Sequence, residues 1–162
     1  MSWVLHRVDD RLIHGQVLIA WGQRYAPRRI WVVDDATAAS EWECALFRSA
    51  TPDSEVRVVS IAAAAASYAE EANAEGAAFL LVRDLASALA LVEAGAPVSS
   101  FNLGGLHYAP GKTKVNEYIY LDEADRGAAR ALLVRGVTLE AQDVPGARSH
   151  ALAELEPALA AS

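Results

Sequence analysis

Short β-branched runs alternate with Ala/Leu/Glu-rich stretches along the whole chain, and this alternation limits the available architectures more than any single motif. Strands are predicted at 3–8 (WVLHRV), 29–33 (RIWVV), 55–61 (EVRVVSI), 78–82 (AFLLV), 97–101 (PVSSF), 118–121 (YIYL) and 137–142 (VTLEAQ). Segments of helical length fill the gaps at 15–25, 37–50, 62–75, 84–94 and 122–135. Such repetition specifies an α/β fold, a three-layer α/β/α arrangement around an open, mostly parallel sheet of about six to seven strands.

The punctuation agrees with this division. Val17, Leu18, Trp21 and Tyr25 form one apolar stripe along the first helix, and Pro27 helps to stop it. Gly76, Gly95 and Gly136 close three later helices, while Asp84 and Asp122 open two of them as N-caps. Asp125, three residues after Asp122, makes a weak variant of the capping box. The alanine run beginning at Ile61 is an ordinary covering helix, because alanine is the best helix former. Only 102–117 (NLGGLHYAPGKTKVNE) breaks the alternation, and a connection of that length in a compact domain is often functional. At 162 residues the chain is expected to be a single domain over 1–162, with an amphipathic tail from about 147 that ends as a terminal helix.

Composition narrows the functional classes. Hydrophobic residues make up 53% and charged residues 22%, which is the balance of a chain that folds around a core. Cys44 is the one cysteine, so neither a disulfide framework nor a cysteine metal cluster is available, and no metal or cofactor is expected. No stretch reaches the roughly 18 apolar residues of a membrane span, and MSWVLHRVDD lacks the apolar core of a signal peptide; a cytoplasmic protein is expected. A net charge of −7 disfavours a nucleic-acid surface. A nucleotide-binding doubly wound domain is disfavoured too, since neither G-x-G-x-x-G nor a Walker A sequence is present.

In an open α/β sheet ligands bind where the carboxyl ends of strands lead into helix N-termini. DDRLIHG (9–15), DDATAA (34–39) and NLGG (102–105) all lie at such ends. His14 stands just before the first helix, whose free amides and dipole favour an anion, and Gly15 and Gln16 open that helix. Arg11 offers a planar fork of donors to the same anion, and Asp9 or Asp10 can fix the imidazole tautomer. Those are the supports a phosphoryl-bearing histidine needs. Equally ordinary is a solvated helix start with a surface ion pair, and local chemistry leaves both readings open. Asp34 and Asp35 either orient this group or cap the helix that follows. Asn102 belongs to the same predicted rim.

The segment RVDDRLIHGQVLIAW (7–21) resembles the active-site segment of the mannose/sorbose family of IIB subunits of the bacterial phosphoenolpyruvate-dependent sugar phosphotransferase system. The likeness continues through RIWVVDDATA (29–38), SATPDSEVRVVSIAAA (49–64), LVEAGAPVSSFNLGGLHYAPGKTKVNEYIYLDEAD (91–125) and LLVRGVTLEAQDVP (132–145). It implies a three-layer α/β/α domain at the membrane periphery, in which His14 accepts a phosphoryl group at Nδ1 from a phosphorylated IIA partner. The group would pass to a sugar entering through a membrane IIC/IID complex. Arg11 and the backbone amides of 14–17 would hold the phosphoryl oxygens, with Asp9, Asp10, Gly15 and Gln16 around them. A regulator that keeps His14 and reports its phosphorylation state is the alternative. The sugar and any homodimer are not legible. NLGGLHY departs from the family's usual pattern by placing His107 on the rim, either as a phosphate contact or as a plain loop residue. The tail RSHALAELEPALAAS is a second departure. His6, His150 and Trp21 read as structural.

Overall fold

In the computed structural model, which describes residues 2–160, apolar runs buried on both faces build the centre of the sheet. Its strands are β1 (Trp3–Val8), β2 (Arg29–Val33), β3 (Glu55–Val59), β4 (Ala78–Val82), β5 (Ser100–Leu103), β8 (Thr138–Ala141) and β9 (His150–Ala151), in the order β3-β2-β4-β1-β5-β8-β9. All but β9 run parallel, and β9 pairs antiparallel with β8 at the edge. Every side chain of β4 is buried, as the AFLLV run requires of a strand covered on both faces. The expected three-layer α/β/α architecture is therefore present.

Helices α1 (15–25) and α3 (Glu41–Ser49) cover one face, where Leu12, Val17, Trp21, Cys44 and Phe79 share a core cluster. On the other face α4 (Ile61–Ala72), α5 (Leu85–Glu93) and α6 (Glu123–Val134) bury Tyr68, Leu91 and Leu132. β1 lies between these territories in the middle of the sheet. Its carboxyl end is the switch point at which α/β sheets bind ligands.

Four expectations need correction. The strand placed at 97–101 lies at Ser100–Leu103, because Asn102 and Leu103 find partners on both sides, in β1 and in β8. The segment 118–121 does not enter the sheet. Its residues Ile119–Leu121 (β7) form a hairpin with Thr113–Asn116 (β6), inside the stretch expected to be irregular, and β9 takes the seventh place. The helix expected at 37–50 is two: α2 (Asp35–Ala38), then α3, whose N-cap Ser40 accepts from the Glu43 amide. The signal was SEWE, a capping-box sequence read as helix interior. The tail forms β9, one α-helical turn α7 (Leu152–Leu155) and a 3₁₀ turn at Pro157–Leu159 rather than one helix; its last two residues lie outside the described range.

Two predictions follow from this frame. Asp122 and Asp125 satisfy each other's backbone amides in a reciprocal capping box at the start of α6. Asp122→Ala removes the N-cap acceptor and should lower the urea midpoint at unchanged slope. The second concerns His6, half-buried between Trp3, Tyr68 and Phe101, with Nε2 2.8 Å from the Tyr68 hydroxyl. Burial pushes its pKa down from 6.5 to about 4. Between those values the unfolded chain binds the extra proton, so stability falls as pH drops below 6.5 and levels off near 4. Urea melts from pH 7 to 5 should show this decline, at most about 1.4 kcal/mol per pH unit from His6, and His6→Phe should remove that part of it.

Candidate functional site

Asp9 leaves the end of β1 with its side chain fully buried, and a buried carboxylate is tolerated only when its oxygens are matched by donors. Oδ1 accepts from the Arg11 amide at 3.0 Å and from Arg11 Nε at 3.1 Å. Oδ2 accepts from Arg11 Nη2 at 3.0 Å and from the Gly105 amide at 3.0 Å. Arg7 Nη2 approaches the same oxygen to 3.6 Å and His14 Nε2 to 3.7 Å. Burial alone would push the Asp9 carboxyl up. The hydrogen bonds from Arg11 and Gly105, with the nearby His14, outweigh it and hold the group below its ordinary range.

A tight turn carries the chain from Asp9 to the helix. Leu12 donates its amide to the Asp9 carbonyl at 3.0 Å and adopts a left-handed backbone, φ +58°, with its side chain fully buried. The Leu12 carbonyl then lies 3.0 Å from His14 Nδ1. His14 Nε2 is buried and, among the described residues, has no hydrogen-bond partner beyond the approach to Asp9, and 15% of the side chain is exposed. Directly after it α1 opens with Gly15, where nothing lies within 4 Å of the position a Cβ would occupy. That leaves room over the first turn, where helix amides have no intrahelical partner. Val17–Trp21 is wound as a π-helix within α1, a local widening that recurs beside functional sites.

The neighbouring loops close around this turn. Gln16 donates from Nε2 to Asp143 Oδ1 at 2.8 Å, and its Oε1 accepts from Arg11 Nη2 at 3.2 Å. Asp10 accepts from the His107 amide at 2.8 Å and faces His107 Nδ1 at 2.7 Å, while its own amide donates to the Gly105 carbonyl. A Cβ on Gly105 would lie 2.7 Å from Arg11 Nη2 and 2.8 Å from His107 Cε1, so both side chains close on the face that glycine leaves bare.

Asp9, Asp10, Arg11, His14, Gly15, Gln16 and His107 thus gather at one rim. Asn102 stands one layer below, bonded to Arg7 and to Gln142. Asp34 and Asp35 do not join it: β4 separates β2 from β1. Asp34 caps α2 through the Thr37 amide and hydroxyl, and Asp35 accepts from the Ile61 amide at 2.8 Å. Arg83 spans the distance, reaching Thr37 Oγ1 at 3.1 Å and the Asp10 carbonyl at 3.3 Å.

Three contributors were not legible as such. Arg7 was read as a strand residue, yet it is fully buried, donates to the Gln142 and Asp143 carbonyls at 3.0 Å each, and lies 5.0 Å over the Trp21 ring. Burial brings it down to about 10, against the pull of Asp9 and Asp143. Asp143 and Arg83 complete the set, and no local pattern marks either. Among the described residues no group of three or more His, Cys, Asp or Glu side chains is placed to hold a metal ion. No helix is long and apolar enough to cross a membrane.

The chain is 32% identical over 151 residues to the fructose-specific EIIB component of the phosphotransferase system of Bacillus subtilis (strain 168), covering 93% of each. It is 37% identical over 141 residues to the mannose-specific EIIAB component of Escherichia coli (strain K12), covering 86% of this chain and 44% of that one. The crystal structure of the IIBSor domain of the Klebsiella pneumoniae sorbose permease superimposes with a TM-score of 0.87 over 98% of both chains, at 31% identity. The model of the sorbose subfamily IIB component of the phosphotransferase system matches residues 3–160, and the chain belongs to that mannose/sorbose-type family of IIB components.

Proposed function

We propose that this chain is a phosphoryl carrier, taking the group onto His14 from a phosphorylated IIA protein and passing it to a sugar held by a membrane IIC/IID complex. One observation carries the reading: His14 is held at the switch point of the sheet between a helix N-terminus and an arginine anchored to a buried carboxylate. Its family membership makes phosphoryl transfer in sugar uptake the general chemistry. The EIIAB relative, of which this chain spans 44%, supports a IIA partner, since its name joins A and B components.

Each step exchanges one bond for another. The phosphorus–nitrogen bond of the donor breaks as a phosphorus–nitrogen bond to His14 forms, and the group later leaves for a sugar hydroxyl whose proton goes to the released imidazole. No acid need be stronger than that ring, so positioning and charge do most of the catalysis. Arg11 is 39% exposed and can turn its fork toward the three phosphoryl oxygens, which the first-turn amides of α1 meet from the other side. Transfer to Nδ1, the nitrogen used in the family, requires the ring to leave the Leu12 carbonyl and keep its proton on Nε2, which faces the Asp9 carboxylate at 3.7 Å. Asp10 and His107 tie the 105–107 loop down, and His107 adds a second donor on the solvent side.

Incubation with phosphorylated IIA should give acid-labile, base-stable label on the wild-type chain and none on His14→Ala. Label at wild-type level in that variant would remove His14 from the reaction. Arg11→Ala should slow uptake roughly 100-fold, the scale of one preorganised donor to developing charge, and Arg11→Lys should recover only part of it because a point charge lacks the fork. Rapid-quench label transfer at fixed donor concentration measures both.

A further inference from the structure

Two arginines share the Asp9 carboxylate, and they differ in freedom. Arg11 reaches it from the exposed rim. Arg7 reaches it from below and cannot leave: its guanidinium is bonded to the Gln142 and Asp143 carbonyls and to the Asn102 side chain, and lies over Trp21. A Cβ on Gly104 would collide with it from the remaining side, so the glycine there makes the seat. Nothing in this arrangement lets Arg7 touch a phosphoryl group at the surface. Yet Asp9 Oδ2 stands 3.6 Å from Arg7 Nη2 and 3.7 Å from the unpartnered His14 Nε2.

We propose that Arg7 is a positioning residue for the chemistry of His14. Acting through Asp9, it holds the carboxylate in place and offsets its charge while Arg11 is drawn away to the phosphoryl oxygens. The inference rests on the phosphoryl-carrier reading of His14. Without a second, immobile cation, releasing Arg11 would leave Asp9 as a buried anion with the imidazole as its nearest cationic partner. The ring would then be held as the imidazolium, protonated on both nitrogens, with no lone pair on Nδ1 to accept the group. With Arg7 in place, Asp9 remains compensated at every stage, and the imidazole can be neutral when the phosphoryl group arrives.

The titratable and charged groups around this centre are Asp9, Asp10 and Arg11 from the β1 turn, Arg83 after β4, His107 and Tyr118 from the segment after β5, and Asp143 from the loop after β8. Arg7 approaches from the protein interior, fully buried. Arg7 Nη2 and His14 Nε2 lie 3.6 and 3.7 Å from the same oxygen, and unit charges held that near one another in a partly screened interior move a titration by roughly one pH unit.

The test follows the His14 ring signals by NMR across pH, without donor, and the pH profile of label uptake with donor. Arg7→Met should move the His14 titration up by about one pH unit and carry the uptake profile with it. Arg7→Lys keeps the charge but cannot span the three acceptors; it should lower the melting temperature while leaving the titration near its wild-type position. Asn102→Ala loosens Arg7 without removing it and should shift the titration in the same direction by less, so the question remains answerable if Arg7→Met does not fold. A wild-type titration in folded Arg7→Met and in Asn102→Ala would show that Arg7 only supports the fold. Failure of wild-type protein to take label would instead overturn the carrier reading, and the donor-free titration would still report the coupling.

Discussion

The buried Asp9 carboxylate is the constraint on which the working end of this molecule depends. An ion without solvent must be matched or it neutralises, and Asp9 is matched by the Arg11 side chain and amide, the Gly105 amide and the nearby Arg7. Arg7 and Arg11 flank Asp9 in the chain, Gly105 comes from the loop after β5, and Arg7 is itself bonded to the loop after β8. Satisfying one side chain therefore fixes the β1 turn against the loop after β5 and, through Arg7, against the loop after β8. The price of burying the charge is offset by a site whose parts have little freedom left, and limited freedom is what group transfer between two imidazoles needs.

Space is allotted as strictly as charge. The pair Gly104–Gly105 ends β5 beside two guanidinium groups, Arg7 against the first glycine and Arg11 against the second. Neither residue could carry a side chain without displacing an arginine. The glycines serve proximity here, with backbone conformations that any residue adopts. Trp21 closes the arrangement from the helix side: its ring lies under Arg7, and its Nε1 donates to the Asp143 carbonyl at 3.2 Å. One aromatic side chain thus belongs both to the apolar cluster under α1 and to the polar post behind Asp9.

Much of this was legible in the chain. The strands 29–33 and 78–82 coincide with β2 and β4, since strands buried on both faces write their extent as apolar runs, and 3–8 coincides with β1 although His6 and Arg7 interrupt it. The short strands were less readable. YIYL has strand periodicity, but periodicity cannot say whether a strand joins the main sheet or folds back on its neighbour, and β7 does the latter. At the site, the residues within one turn of His14 were accessible from spacing, whereas Arg7, Arg83 and Asp143 act across long separations in sequence. A charged residue inside a predicted strand is read as facing water; Arg7 faces inward because Gly104, far downstream at the end of β5, leaves it room, and no local pattern expresses that.

The backbone turn that presents His14 is strained, and its strain is held by the core. Leu12 sits at φ +58°, a region that costs a non-glycine residue about 1–3 kcal/mol. Glycine at that position would relieve the strain but would give up a fully buried side chain packed with Ile13, Val17 and Phe79. Burying a leucine is worth about 1.5–3 kcal/mol, so the two contributions are of similar size and the hydrophobic contact can hold the left-handed turn closed. That turn points the Leu12 carbonyl at His14 Nδ1 and sets the imidazole between it and Asp9. The apolar cluster under α1 therefore does more than stabilise the fold: through one leucine it sets the resting rotamer of the histidine, from which the ring turns to accept the group, as Arg7 fixes the carboxylate behind it.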